Sequence, residues 1–239
     1  NMSKKIIKLF DPSINKQEEL ALTKVLKSKF WASGSGNGLV SKFEKEFKKY
    51  VKSKSCIAVN SGTAALNLAL SLFNIKNKEV ILPSLSFVST AHSIIENGGI
   101  PVFVDVKPDT LCINPEKISN VISKKTVAIL PVHFGGMSCD MTKILKIAQK
   151  HNLSVIEDAA HATGTKFKGS KIGSHGHAVC FSFHPVKNLG MPTGGLISIN
   201  HKNHLKFKEL LFSRRWCGIT DRSDTDYDVK EIGWNYYMN

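Results

Sequence analysis

The sequence predicts an α/β protein: a mostly parallel sheet with helices on both faces. Three observations predict it. Short apolar runs alternate with helix-period segments through the middle of the chain. At 239 residues and 42% hydrophobic, the chain is long enough to bury one large core. No apolar run reaches the length that a membrane-spanning helix needs.

Taken in order, "KQEELALTKVLKS" reads as an amphipathic helix with Leu20, Val25 and Leu26 among its apolar positions. "SKFEKEFKKYVKSK" follows with lysines at helical surface spacing. Strand–helix pairs come next: "SCIAVN" with "TAALNLALSLF", "EVILP" with "FVSTAHSIIENG", "IPVFVDV" with "PEKISNVIS", and "TVAILPVHF" with "DMTKILKIAQKH". After "LSVIEDAA" stand "HAVCFSF", "GGLISIN" and the helical "HKNHLKFKELLFS". The large α/β domain is therefore expected over residues 33–213, after an N-terminal segment, 1–32. Asn1 precedes Met2, where a native start would stand, and is set aside; "NMSKKIIKLF" has a charged start but no extended apolar core or small-residue cleavage site, so no secretory leader is expected.

The net charge of +14 raises nucleic acid as a partner. The lysines are spread along the whole chain, and the arginines are almost confined to Arg214, Arg215 and Arg222. No zinc-finger spacing, aromatic RNA-binding motif or basic zipper accompanies them. A solvated, lysine-rich surface accounts for the charge and still attracts small anions. The expectation is no nucleic-acid partner and no membrane. Cys56, Cys112, Cys139, Cys180 and Cys217 are odd in number and form no CxxC pair, which points to reduced thiols in a cytoplasmic protein. His175 with His177, and His201 with His204, lack a nearby acidic or thiol partner, so no metal site is expected.

In open α/β sheets ligands gather beyond the carboxyl ends of the strands. Those positions hold Ser61, Gly62 and Thr63; Ser84 to Phe87; His133; Asp158 and His161; and Ser182 to Lys187. "NSGTAAL" is a strand, a small-residue turn and a helix start, whose N–H groups and hydroxyls suit an anion such as phosphate. An ordinary helix cap fits the same residues equally well. Neither the dinucleotide fingerprint nor the P-loop pattern is present. Asp158 places a carboxylate at an otherwise apolar strand end, where it calls for a partner such as a protonated ring nitrogen, or else caps the next segment. A lysine condenses with an aldehyde only as the neutral amine, a form that costs about 4.6 kcal/mol to populate at pH 7 from an ordinary lysine. Burial after "CFSF" lowers that cost for Lys187. A phosphate seat, a carboxylate for a pyridine nitrogen and a carbonyl-condensing lysine together describe pyridoxal 5'-phosphate, PLP.

"NSGTAAL", "PSLSFVSTA", "PVHFGG", "VIEDAAHATGT", "GSHGHAVCFSFHPVKN", "TGG" and "GWNYYMN" occur in an order that resembles the DegT/DnrJ/EryC1/StrS family of PLP-dependent sugar aminotransferases, from about Trp31 to the end of the chain. The resemblance implies the type I PLP-dependent transferase fold. It implies a homodimer with active sites shared between subunits, and an amino group passed from glutamate to a nucleotide-linked keto sugar. Lys187 then matches the lysine that condenses with the cofactor, and Asp158 the partner of its ring nitrogen. Ser61, Gly62, Thr63 and Ser182 match phosphate-binding positions. Phe87 matches the aromatic against the ring, and His161 a polar residue on its hydroxyl side. Asn235 matches a residue that reaches the neighbouring subunit's cofactor phosphate. Where the family commonly reads a threonine-rich turn ending "GEGG", this chain has "NLGMPTGG", with Pro192 and Thr193 in place of a flexible acidic turn. The resemblance also implies that residues 214–239 begin a connection to a C-terminal small domain largely absent from these 239 residues. A sugar dehydratase of the same family is the near alternative, disfavoured because it does not keep this lysine; a non-catalytic PLP-binding regulatory protein is the distant one.

Overall fold

A computed structural model describes residue 8 and residues 11–31, 38–223 and 226–239. Ser33, the expected first residue of the large domain, lies outside them. Two helices come first, α1 (Lys16–Ser28) and α2 (Gly38–Val51). Strand–helix units follow: β1 (Ser55–Val59) and α3 (Gly62–Ser71), β2 (Glu79–Pro83) and α4 (Val88–Glu96), β3 (Ile100–Val104) and α5 (Pro115–Val121), β4 (Thr126–Ile129) and α6 (Met141–His151). Next are β5 (Ser154–Asp158), a small hairpin of β6 (Lys166–Phe167) and β7 (Ser170–Lys171), then β8 (Ala178–Ser182), β9 (Gly195–Ile199) and α7 (His204–Arg214). A second hairpin, β10 (Ile219–Ser223) and β11 (Asp226–Val229), follows α7.

Seven strands form the central sheet in the order β1-β9-β8-β5-β4-β2-β3. The pairings from β8 through β5, β4 and β2 to β3 are parallel, as the alternation of strands and helices predicts. β9 runs antiparallel to both neighbours, β8 and β1. A parallel return needs a crossover, usually through a helix, and the turn from β8 to β9 contains none. It therefore leaves and re-enters the sheet at one end, the carboxyl end of β8, and this turn bears Lys187.

Strand alternation sorts the core onto two faces. Ile57 and Val59 of β1, with Ala178 and Cys180 of β8, pack under α3 and α7. Cys56 and Ala58, with Val179 and Phe181, face α2, where Phe47 stands 5.0 Å edge-on from Phe181. Ile81, Ile129 and Val155 on the same side as α2 pack under α5 and α6. Residues after 213 return to the sheet: Arg215 is fully buried and donates to Glu44 Oε1 and to the Ala58 carbonyl, both at 2.7 Å.

The amphipathic α1 forms where the sequence places it. Asn15 caps it, accepting from Gln17 N–H at 2.7 Å, while Glu18 accepts from the Asn15 N–H at 2.8 Å. Its apolar residues are not packed: no residue of α1 is buried, and Leu20 and Leu26 are 60% and 63% exposed.

The histidine pairs of the sequence come apart and recombine. His177 and His201 meet with ring centroids 5.4 Å apart, His201 stacks on Phe207 at 4.6 Å, His204 bonds Ser55, and His175 lies edge-on to Phe167. Burial lowers the pKa of His177 and of His201, and His177 Nδ1 accepts from the Val155 N–H at 2.9 Å, a bond that ring protonation removes. The neutral rings are native, so as pH falls through the unfolded value of about 6.5 the unfolded chain takes up protons first. Stability is full above that value and declines below it, through the lowered folded pKa values. Urea midpoints should fall between neutral and mildly acid pH, and His177→Phe should flatten that fall; a parent midpoint that does not move with pH removes the idea.

Candidate active site

The carboxyl ends of β1, β4, β5 and β8 surround a cavity of about 290 Å³. Eight of the nine residues singled out by sequence line it: Ser61, Gly62 and Thr63 where β1 enters α3, Phe87 before α4, Asp158 and His161 after β5, Ser182 and Lys187 after β8. Asn235 does not. It is exposed, in a shallow groove next door that shares Ser61 and Thr193 with the cavity, and its carbonyl accepts from Asn60 Nδ2 at 3.1 Å.

At one end of the cavity stands the start of α3. Ser61 is the cap, with Oγ accepting from the Ala64 N–H at 3.1 Å, so the ordinary capping role holds for that oxygen and its proton stays available to a ligand. The N–H groups of a helix's first turn have no intrahelical acceptors, and those of Gly62 and Thr63 open the helix end toward an anion. Gly62 permits the approach of helix to strand: a Cβ there would stand 2.7 Å from the Ser182 Cβ. Thr193, which the sequence argument missed as a contact, donates from Oγ1 to the Asn60 carbonyl at 2.5 Å and closes the turn after Lys187 over this end.

Asp158 is 4% exposed. Its Oδ2 accepts from Thr90 Oγ1 at 2.8 Å and its Oδ1 from the Ala160 N–H at 3.1 Å, which leaves further lone pairs for a cationic ligand. Thr90 is the residue that sequence reasoning missed here. Its signal was a hydroxyl on the buried stripe of α4, one turn before Ser93 and Ile94.

Lys187 sits on a turn whose N–H bonds the His184 carbonyl at 2.8 Å. Its side chain is half-buried, wetter than a strand-end position implies, because the turn carries it past the end of β8. Burial pushes its pKa below the ordinary lysine value, against the pull of the Asp158 charge. His161 is also shifted down, by burial first and then by the positive charge of Lys187, with Asp158 opposing. His161 Nδ1 accepts from the Gly135 N–H at 3.2 Å, so the ring proton resides on Nε2. Phe134 holds the ring edge-on at 5.9 Å. Phe87, 71% exposed, presents its ring at the mouth. His133 turns away from the cavity and is fully buried against Glu157.

Residues 12–239 match the DegT/DnrJ/EryC1/StrS aminotransferase family. The chain is 47% identical over 233 residues to the spore coat polysaccharide biosynthesis protein SpsC of Bacillus subtilis, covering 95% of this chain and 59% of that one. Among solved structures, it superposes on PseC of Helicobacter pylori, an aminotransferase involved in the biosynthesis of pseudoaminic acid, with a TM-score of 0.89 at 28% identity, covering 97% and 61% of the two chains. An aminotransferase from Psychrobacter cryohalolentis gives 0.86 at 33% identity over 96% and 60%. The chain thus spans about 60% of the length of the curated relatives it matches. The mainly parallel sheet and the helices on both faces match the PLP-dependent aminotransferase fold. The chain belongs to the DegT/DnrJ/EryC1/StrS aminotransferase family.

Proposed function

We propose that this chain is the cofactor-binding part of a PLP-dependent aminotransferase that passes an amino group from glutamate to a nucleotide-linked keto sugar. The observation that carries the reading is that one cavity brings together a helix N-terminus, a buried carboxylate and an amine of lowered pKa from three separate strand ends. Those residues fit PLP. Gly62, Thr63 and Ser182 would hold the phosphate at a helix end that has no room for a Cβ. Asp158 would meet the ring nitrogen, and Phe87 and His161 would flank the ring. When bound, the cofactor supplies an aldehyde for amino groups and a sink for the electrons of a carbanion.

The chain's own residues do the rest. Lys187 Nζ, whose charge burial disfavours, would hold the cofactor through its aldehyde carbon and carry the proton to and from the donor's α carbon. Asp158, fixed by Thr90 and Ala160, would keep a proton on the ring nitrogen by its charge. His161 Nε2 has a proton to offer the cofactor's hydroxyl side.

A sugar substrate is supported by the polysaccharide role in the name of SpsC and the pseudoaminic acid role in that of PseC. A net charge of +14 suits an anionic, nucleotide-linked one. Phe87 and Val88, 71% and 55% exposed at and beside the mouth, support a second subunit there, with the exposed Asn235 reaching its cofactor phosphate. Residues 33–213 form the large domain in this reading and 214–239 lead toward a smaller one. Four buried free thiols among the five cysteines suit a reducing cytoplasm. The full-length protein with PLP should show a visible band that glutamate shifts and a nucleotide-linked keto sugar restores. A band that glutamate leaves unchanged overturns the reading.

Gly62→Ala tests the phosphate seat. Its Cβ must push the Ser182 Cβ, 2.7 Å away, or lift the start of α3 off β8. Overpacking of roughly 1–3 kcal/mol, if it falls on the phosphate seat, raises the PLP dissociation constant about 5- to 150-fold, read by equilibrium dialysis. Parent-like affinity removes Gly62 from the seat.

A further inference from the structure

Directly behind Asp158 lies a pair of ionisable side chains that this chemistry does not touch. Successive side chains of a strand point to opposite faces, so Asp158 faces the cavity and Glu157 the other side of the sheet. Glu157 and His133 are both 0% exposed. His133 Nε2 stands 2.8 Å from Glu157 Oε2. The Cys139 N–H donates to His133 Nδ1 at 3.1 Å, which leaves the ring proton on Nε2 and makes the imidazole the donor to the carboxylate. The Gly176 N–H donates to Glu157 Oε1. A Cβ at Gly176 would stand 2.7 Å from Oε1 and 2.9 Å from the Val155 carbonyl, so the approach requires glycine.

Core packing does not call for this pair. Val155, two residues earlier on the same face of β5, is apolar and fully buried, and a buried carboxylate is costly unless something else retains it. What the pair holds is the main chain at Asp158. The His133 N–H donates to the Asp158 carbonyl at 3.0 Å, and the Asp158 N–H donates to the Pro131 carbonyl at 2.9 Å. Beyond β4, then, the chain accompanies β5 through the bridge of Val132 to Asp158. The side-chain bond cross-links these two segments on the far face. Cys139 ties it to the start of α6, and Gly176 to the connection entering β8.

We propose that His133 and Glu157 are a positioning pair, a neutral imidazole bonded to a carboxylate, that fixes where the Asp158 carboxylate meets the cofactor's ring nitrogen. The inference rests on the PLP reading above. Thr90 and Ala160 hold the carboxylate from the cavity side; the pair holds its backbone from behind. The other titratable groups that feel the charge of His133 or Glu157 are His175 and the thiols of Cys112, Cys139 and Cys180.

Glu157→Gln keeps the volume but offers one oxygen and one NH2 to two donors, His133 Nε2–H and the Gly176 N–H. Moving the imidazole proton to Nδ1 sets it against the Cys139 N–H instead. Every arrangement leaves one buried donor facing another.

The test uses the full-length protein loaded with PLP, its Glu157→Gln and His133→Gln variants, absorbance titrations across neutral and alkaline pH, and the glutamate half-reaction. In the variants the pH midpoint of the cofactor's visible band should move by about one unit. The half-reaction kcat should fall about 10-fold or more with KM for glutamate unchanged. Midpoint and kcat within about two-fold of the parent, with or without a lower melting temperature, overturn the pair and leave the PLP reading standing. A parent without any PLP-dependent band overturns that reading and this inference together. Should Glu157→Gln fail to fold, Gly176→Ala presses on the same carboxylate with both polar partners retained, and the same two measurements decide.

Discussion

Lys187→Ala should fold, bind PLP without a covalent link, and lose transamination by about 10³-fold or more, the scale of removing both an activated nucleophile and a general base. The fold should survive because the turn is held by main-chain atoms, Lys187 N–H to the His184 carbonyl at 2.8 Å and Met191 N–H to the Phe183 carbonyl at 2.8 Å. The side chain itself is half-buried and lines the cavity, so an alanine there enlarges an existing opening. Borohydride should fix the cofactor on Lys187 in the parent and on nothing in the variant; a label mapped to another lysine sinks the assignment. The pH dependence adds a second check. Burial holds the pKa of Lys187 below the usual 10.5, with Asp158 pulling it back up. Covalent capture of PLP by the parent should therefore speed up as pH rises, with a midpoint under that value, and the variant should show no such rise.

The α/β alternation was legible because each unit buries a short apolar strand beneath one helix, and the two periods differ within a few residues. The direction of β9 was not. "GGLISIN" reads the same in either sense, and what sets its direction is the helix-free connection before it. The hairpin of β6 with β7 was also missed, because two-residue strands such as Lys166–Phe167 have no period to detect, and that of β10 with β11 because "ITDRS" and "DYDV" hold no apolar run. For α1 the cap was legible and the environment was not, since an apolar stripe says that a helix has a partner and nothing about which one.

In the site, residues that stand just past apolar runs were found because the strand ends converge by topology. Partners that arrive from a helix interior were not. Thr90 reaches Asp158 across 68 positions of sequence, and a threonine in "VSTAH" looks like any other helical residue until the fold brings the first turn of α4 to the end of β5. His133 shows the converse: it stands at a strand end, as the rule requires, yet its ring turns to the far face, because the chain after β4 runs on beside β5 before it turns.

Asp158→Asn separates charge from geometry better than any other single change in this cavity. The amide oxygen can still accept from the Ala160 N–H, now at 3.1 Å to Oδ1, and its NH2 can donate to Thr90 Oγ1, which as a hydroxyl accepts as readily as it donates. Both local bonds survive, so the carboxamide should sit where the carboxylate does and the apo fold should be unchanged. What disappears is the negative charge 4% exposed at the end of β5, and with it the stabilisation of a protonated ring nitrogen. PLP should bind more weakly, and turnover at saturating PLP should fall about 10³-fold, the scale of losing one preorganised electrostatic partner. Thr90→Val provides the contrast: it removes one hydrogen bond and keeps the charge, and should cost about 10-fold, roughly the loss of a bond to a charged group. If Asp158→Asn turns over near the parent rate, or if Thr90→Val proves the more damaging of the two, the charge of Asp158 is not what drives the chemistry.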